Sequence, residues 1–433
     1  MSSNTSKAFT PLTIGPLKLR NRFIKAATNE GMCKGGVISK GLAAFHERMA
    51  EGGAAMSTVA YCATSKDGQT FVDQAHLSAD TIADFKVLTD GVHKHGAAAQ
   101  AQITHAGSFT FLPKDFSSMK PISANGGFNK FGVMTGRYMK KKMDRSDMDT
   151  IADEFVRAAL HAKEAGFDAV EIHMGHGYLL AQFITPFYNS RKDEYGGTIQ
   201  NRMKFPAEVL SKVLDAVGKD LAVTVKYSQT DGKDGGNTIT EGIEIAKILQ
   251  STGAHMAQLS NGLNVESIDT MFGNPLPKTS TPPKNLIVRL GMMMQPKSKE
   301  PAREFKQLYS MDPAQQIRAS VDMPLCYLGG AQNMANVNRV MSEGFDAIGL
   351  GRALIFDPNL INAMQAGSLR NSGCTACNQC VTMMYTPGGT ACVEEGGHRG
   401  HAPELNTTPA SACLLYTSPS PRDATLSRMP SSA

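Results

Sequence analysis

Val170-Glu171-Ile172-His173-Met174-Gly175-His176-Gly177-Tyr178 is the stretch that decides how this chain reads. The apolar run from Ala169 to Ile172 is that of a buried strand. Gly175 and Gly177 break the run and open a loop. Two imidazoles and a phenol therefore gather at the C-terminal end of a strand, where α/β proteins bind ligands. Such groups can hold an oxygen and deliver a proton. One histidine at a strand end often only bonds to backbone. Two of them with a tyrosine, set among glycines, point to a site. Zinc-binding histidine pairs on a helix lie four apart with a glutamate inside, and no glutamate lies between His173 and His176.

Seven further runs resemble this strand: Phe23–Ala27, Met56–Ala60, Ala98–Ile103, Ala222–Lys226, Met256–Leu259, Leu325–Leu328 and Ala347–Leu350. Helical patterns alternate with them near 40–51, 80–94, 147–165, 201–216, 240–252, 302–321, 333–343 and 358–366. Ser39 and Thr240 stand at two helix starts, and Gly52, Gly96, Gly166, Gly253 and Gly344 at helix ends. Eight β-then-α units predict an α/β fold of the (β/α)8 TIM-barrel type. A doubly wound sheet is the alternative, but no G-x-G-x-x-G turn follows Phe23–Ala27. The segment Leu12 to Leu19 predicts an N-terminal hairpin that plugs the barrel. Long loops over 106–146 and 261–301, after strands three and six, are expected to shape a pocket.

Leu328-Gly329-Gly330-Ala331 follows strand seven, and Leu350-Gly351-Arg352-Ala353 follows strand eight. Loops at these two positions commonly bind a phosphate in barrels. Glycines let backbone N–H groups come close, and Arg352 can pair with the anion. A phosphate-bearing cofactor across the barrel mouth is expected.

The chain has 433 residues, 41% hydrophobic and 19% charged, with a formal net charge of +5. That is an ordinary globular composition. The basic residues are dispersed, apart from Lys140-Lys141-Lys142, so no nucleic-acid partner is expected. No apolar run reaches membrane-spanning length, and the N-terminus lacks a signal core. A cytoplasmic location, a small-molecule substrate and no membrane partner are expected; a homo-oligomer is compatible with the sequence.

These residues make the chain resemble the old yellow enzyme family of NADH:flavin oxidoreductases. The resemblance rests on Leu19-Arg20-Asn21-Arg22-Phe23 with Ala26-Ala27-Thr28-Asn29, and on Gln100-Ala101-Gln102-Ile103-Thr104-His105-Ala106-Gly107. It continues through His173 to Leu179, Asn189 to Gly197 with Asn201-Arg202, and Gly349 to Arg352. The family implies FMN in the barrel and NAD(P)H as reductant. It implies cofactor contacts from Ala26, Thr28, Asn29, Tyr61, Gln102, Lys226, Gly329, Gly330, Gly351 and Arg352. His173 and His176 would hold a substrate carbonyl oxygen, and Tyr178 would protonate the α-carbon of an activated alkene. Arg191, Asp193, Tyr195 and Arg202 would pin the loop after strand four. Three positions depart from the family pattern. Asn29 stands where Thr or Cys is usual, Lys226 where Arg is usual, and Tyr61 where a small residue is usual.

Cys374, Cys377, Cys380 and Cys392 cluster after the barrel. Four close cysteines signal a metal site in a chain with no disulfide framework. Larger relatives of the family carry a 4Fe–4S cluster there, with three residues between the second and third cysteines where this chain has two. They then continue into a nucleotide-binding domain. Zinc and bare thiols are the other readings. The expected organisation is therefore a barrel over 8–370, a Cys-rich extension over 371–395, and a disordered tail over 396–433 that resembles translated cloning sequence. Besides alkene reduction, two activities are open: an oxidative demethylase or dehydrogenase passing electrons through a cluster, and a flavin-free lyase or aldolase using Lys226 as a Schiff base.

Overall fold

The computed structural model describes residues 6–117, 119–266, 304–368, 371–400 and 403–411. Eight parallel strands close into a barrel. They are β1 (Phe23–Lys25), β2 (Met56–Ala63), β3 (Ala98–Thr104), β4 (Ala169–His173), β5 (Ala222–Ser228), β6 (Met256–Ser260), β7 (Leu325–Leu328) and β8 (Ala347–Leu350). Each expected strand is present, and β8 pairs β1 to complete the ring. Alternation along the strands sorts two faces. Val170 and Ile172 of β4 and Val223, Val225 and Tyr227 of β5 pack outward against the helices. Ala169, Ala222, Met256, Ala98 and Ala347 fill the lower lumen together with Ile14 and Leu19. The hairpin Leu12–Ile14/Leu17–Leu19 thus plugs the N-terminal end, as expected.

The main helices are α1 (Lys40–Glu51), α2 (Ile82–His93), α3 (Arg145–Glu164), α4 (Leu179–Ile184), α5 (Ile199–Val217), α6 (Ile239–Thr252), α7 (Met311–Arg318), α8 (Met334–Ser342), α9 (Arg352–Phe356) and α10 (Leu360–Gln365). Ser39 caps α1 by accepting from the Leu42 N–H at 3.1 Å. Four expectations shift. The cap of α6 is Thr238, not Thr240, because Glu241 sits at the third position and bonds back to the Thr238 N–H at 3.0 Å. The helix expected near 302–321 covers only Met311–Arg318 among the described residues. The one expected near 358–366 begins at Leu360, two residues after Pro358. The short helix α4 was not foreseen.

The loop after β3 carries a small sheet of Ile122–Ser123, Gly127–Phe128 and Met139–Lys142. Most of the long loop after β6 lies outside the described residues. The segment expected to be disordered from 396 is ordered in part. Ala410 is buried and its N–H donates to Ile38, while the Ser411 hydroxyl donates to Asp84 at 2.7 Å. Backbone pairing with the start of α1 supplies this order, and no hydrophobic periodicity announces it. Residues 412–433, which hold the cloning-like stretch, lie outside the described residues. No described helix is long and apolar enough to cross a membrane.

Candidate active site

A cavity of about 330 Å³ opens at the C-terminal mouth of the barrel. That size suits a cofactor or small ligand. Its wall holds Ala26, Thr28, Asn29, Tyr61, Gln102, His173, His176, Tyr178, Lys226, Gly330, Gly351 and Arg352. Every expected catalytic residue and every expected cofactor contact except Gly329 is brought together there. Gly329 faces elsewhere: a Cβ on it would meet the Ser310 hydroxyl at 2.3 Å. There is no room for a side chain at Gly329, and Gly330, at φ +74°, is the glycine of the pair on the cavity wall.

Lumen-facing positions on neighbouring strands build the floor. Gln100 bridges Thr58 and Thr224 at 2.9 and 2.8 Å. One step higher, the Gln102 amide nitrogen donates to Glu171 at 2.7 Å. This leaves the Gln102 carbonyl oxygen as the atom to offer a ligand N–H. Asn29 is the reverse case. Its carbonyl oxygen accepts from the Gly31 N–H at 3.1 Å, which leaves its amide as a donor. Lys226 is buried, and its ammonium lies 3.5 Å from the Ala27 carbonyl oxygen. Burial lowers its affinity for a proton, while the nearby Glu171 carboxylate opposes that. Glu171 itself is pushed up by burial and held back by Lys226.

The histidine pair forms a directed chain. His173 Nδ1 accepts from the Gly175 N–H at 3.3 Å, so Nε2 carries the proton of the neutral ring. That nitrogen faces His176 Nδ1 at 3.2 Å, and His176 Nε2 faces the Ser260 hydroxyl at 2.8 Å. Burial, with the Lys226 cation, drives the His173 imidazole down to about 3. Burial, then His173 and Lys226, holds His176 well below its ordinary value. Both shifts favour the neutral rings. Their N–H groups both face protein acceptors, so a ligand oxygen held by both would have to replace the 3.2 Å contact between the rings and the 2.8 Å contact with Ser260. Tyr178 packs against His173 with ring centroids 4.9 Å apart and the planes tilted by 50°. Burial raises its phenol well above the ordinary value.

The other end of the cavity is cationic. Arg352 begins α9, and its guanidinium reaches Asn378 Oδ1 at 2.5 Å. With the Gly330 and Gly351 backbone, this end suits a phosphate. Arg352 also borders a second, small void lined by Cys374, Cys377, Cys380 and Cys392. Cys374 and Cys380 line the main cavity as well. Burial raises the thiols of Cys374, Cys380 and Cys392, and Cys380 is pushed up to about 12. Among the described residues, no three His, Cys, Asp or Glu side chains are arranged around a single ion.

The loop after β4 is pinned as expected. Arg191 makes a two-pronged pair with Asp193 at 2.8 and 2.7 Å and reaches two backbone carbonyl oxygens. Arg202 bonds the Ile184 carbonyl oxygen and Glu241. Four site residues escaped the sequence reading. Glu171 was visible as a carboxylate inside an apolar strand. Ser260, Asn264 and Tyr385 carry no local signal, because they reach the site only through the fold.

A closed parallel barrel with a phosphate-suited end and a proton-donor cluster across one mouth defines a flavin-type barrel oxidoreductase. The chain belongs to the NADH:flavin oxidoreductase / NADH oxidase family, whose model matches residues 7–371, and it is by family an FMN-dependent oxidoreductase. A 4,4'-dithiodibutanoate disulfide reductase of Rhodococcus erythropolis is 36% identical over 393 residues, 90% of this chain and 95% of that protein. A multifunctional alkene reductase/demethylase of Caballeronia cordobensis is 27% identical over 364 residues, 82% of this chain and 48% of that protein. The chain thus spans about half the length of this second relative. The old yellow enzyme homologue from Zymomonas mobilis has the same fold, with a TM-score of 0.65 and 22% identity over 84% of this chain and 94% of that one.

Proposed function

We propose that this chain reduces an activated alkene of the enone or enoyl type at the expense of NAD(P)H. One observation carries the reading: His173, His176 and Tyr178 share a single cavity with Gln102, Lys226 and Arg352. The residues present suit FMN. Arg352 and the Gly330 and Gly351 backbone would hold the phosphate. Gln102, Asn29 and Lys226 would meet the ring edges. Bound FMN would supply hydride transfer from the nicotinamide to the alkene β-carbon. Lys226 would balance negative charge at the reduced ring. His173 would donate to the substrate carbonyl oxygen as its contact with His176 opens, and His176 would do so once its N–H leaves Ser260. That polarises the alkene and stabilises charge that develops on the oxygen. Tyr178 would then pass its proton to the α-carbon. Its raised affinity for a proton keeps it protonated until then.

The visible spectrum of the purified protein, loaded with FMN, tests the reading. The flavin absorbance should bleach with NADH or NADPH and return on anaerobic addition of an enone. Failure to bind FMN, or reduced protein that an enone leaves bleached, overturns it. A second reading rests on the four thiols around one void. They would hold a 4Fe–4S cluster that takes electrons from the flavin during an oxidative demethylation or dehydrogenation. Iron and sulfide analysis of protein prepared without oxygen decides it. The likeness to the Rhodococcus disulfide reductase over nearly both lengths makes a disulfide the first alternative acceptor to place in the same bleaching assay.

A further inference from the structure

Tyr61 is a departure from the family pattern that the reaction above leaves unused. A register shift between Val59 and Cys62 interrupts the pairing of β2 with β3, which resumes at Cys62–Ile103, and Tyr61 lies within the interruption. Such irregularities re-aim side chains. Tyr61 faces the cavity, where it forms a small cluster with Ala60 and Tyr178. The Tyr61 and Tyr178 rings lie 5.1 Å apart at 47°, in contact on the same cavity wall. Phe71 and Phe109 close over the pair.

The pair creates a problem of proton supply. Tyr178 is only 6% exposed and Tyr61 8%. Once Tyr178 has given up its proton, a phenolate stands in an apolar pocket with poor access to water. Its other polar neighbours cannot refill it. The Asn264 amide lines the same cavity but holds no acidic proton. The neutral His173 ring directs its N–H toward His176. Tyr61 alone among these neighbours carries a transferable proton. Tyr385 of the Cys-rich extension lines the same cavity and is 75% exposed.

We propose that Tyr61 is a relay residue that reprotonates Tyr178 from the Tyr385 side of the cavity. The inference rests on the reading of Tyr178 as the α-carbon donor. The Tyr178 O–H bond breaks as the α-carbon C–H bond forms. The Tyr61 O–H bond then breaks as the Tyr178 O–H bond re-forms. A solvent proton restores Tyr61. Over one cycle the alkene gains the hydride of NAD(P)H and one solvent proton, and no other reactant is needed. The C-terminal extension thereby acquires a part in the reaction independent of its cysteines.

Stopped-flow turnover of the FMN-loaded Tyr61→Phe protein, with saturating NAD(P)H and an enone, tests the relay. Phenylalanine keeps the ring contacts and removes only the hydroxyl. The expected result is a burst of one product per site followed by a steady rate lowered roughly tenfold or more. Small weak acids in the buffer should accelerate that slow phase. Wild-type protein should show neither the burst nor the rescue. A Tyr61→Phe protein without a burst, slowed evenly in all turnovers or not at all, overturns the relay. Tyr178→Phe separates the two ideas. If its first turnover is as fast as that of the wild type, the donor reading has failed. If its first turnover is slow while Tyr61→Phe lacks a burst, the relay alone has failed.

Discussion

The two ends of the barrel lumen use the same strand positions for opposite chemistry. On β4 the inward residues run Ala169, Glu171, His173; on β5 they run Ala222, Thr224, Lys226; on β3 they run Ala98, Gln100, Gln102. Each strand starts apolar and ends polar. The lower end is sealed by Ile14, Leu19, Ile24 and Met256 and behaves as ordinary core. The upper end gathers buried groups that are held by one another: Gln102 to Glu171, Lys226 near Glu171, His173 to His176, and His176 to Ser260. Stability and function are therefore separated along one axis. Substitutions at the bottom should unfold the protein without altering its chemistry, and substitutions at the top should do the reverse.

Tyr178→Phe is expected to have the largest effect. Loss of a positioned proton donor lowers a rate by about 100- to 10,000-fold. Reoxidation by an enone should fall in that range, while bleaching by NAD(P)H and thermal stability should change little. An equal loss in both half-reactions would erase the functional contrast between the two ends.

A buried charge pair off the lumen sharpens the comparison. Lys25 points outward from β1, fully buried, and pairs with Glu30 at 2.6 Å. It also reaches the Thr28 hydroxyl at 2.9 Å, on the loop that lines the cavity. Removing one partner of a buried pair is strongly destabilising, by about 3–5 kcal/mol. Glu30→Ala should lower the unfolding midpoint accordingly and weaken FMN binding through the loop. The double variant Lys25→Met, Glu30→Leu should recover much of the stability. If Glu30→Ala unfolds like wild type, the pair has no structural role.

Much of this was legible because a barrel repeats one rule eight times. Each strand is a short apolar run bounded by turn signals, and its outward side chains must be apolar to meet the helices. The eight strands thus emerged with boundaries within a few residues. His173, His176 and Tyr178 were legible because three chemical groups fall within six residues of sequence. Ser260 was not, since it meets His176 across 84 positions and only barrel closure joins them. The docking of residues 403–411 was hidden for a different reason. It depends on backbone hydrogen bonds to α1 and on Asp84, which leave no hydrophobic pattern. Lys25 read as one position of a buried strand, and its pairing with Glu30 needed the turn at Thr28 to be formed first.

At the apolar end, Leu19→Ala should cost about 2–5 kcal/mol through lost burial and a residual cavity. The flavin spectrum and the rates of folded protein should stay as they were. Any change in the half-reactions would show that the plug communicates with the site.

The smallest effect separates the ends by pH. His105 follows β3 at the upper end, and burial holds its imidazole down at about 4 against a weaker pull from Asp67. The unfolded chain takes up a proton there near pH 6.5. Below that value the unfolded state binds a proton that the native state refuses, so stability falls as the pH drops toward 4. One such histidine removes about 0.7 kcal/mol between pH 7 and pH 6. His105→Gln keeps an acceptor for the Gly107 N–H, which His105 Nδ1 now receives at 2.9 Å, and has nothing to titrate. Denaturant unfolding at the two pH values should show that much less loss in His105→Gln than in wild type. Leu19→Ala should lose as much as wild type over the same interval, because the lumen position it vacates carries no proton. If both variants keep the wild-type slope, His105 is accessible to protons in the native state, and the upper end is wetter than its burial implies.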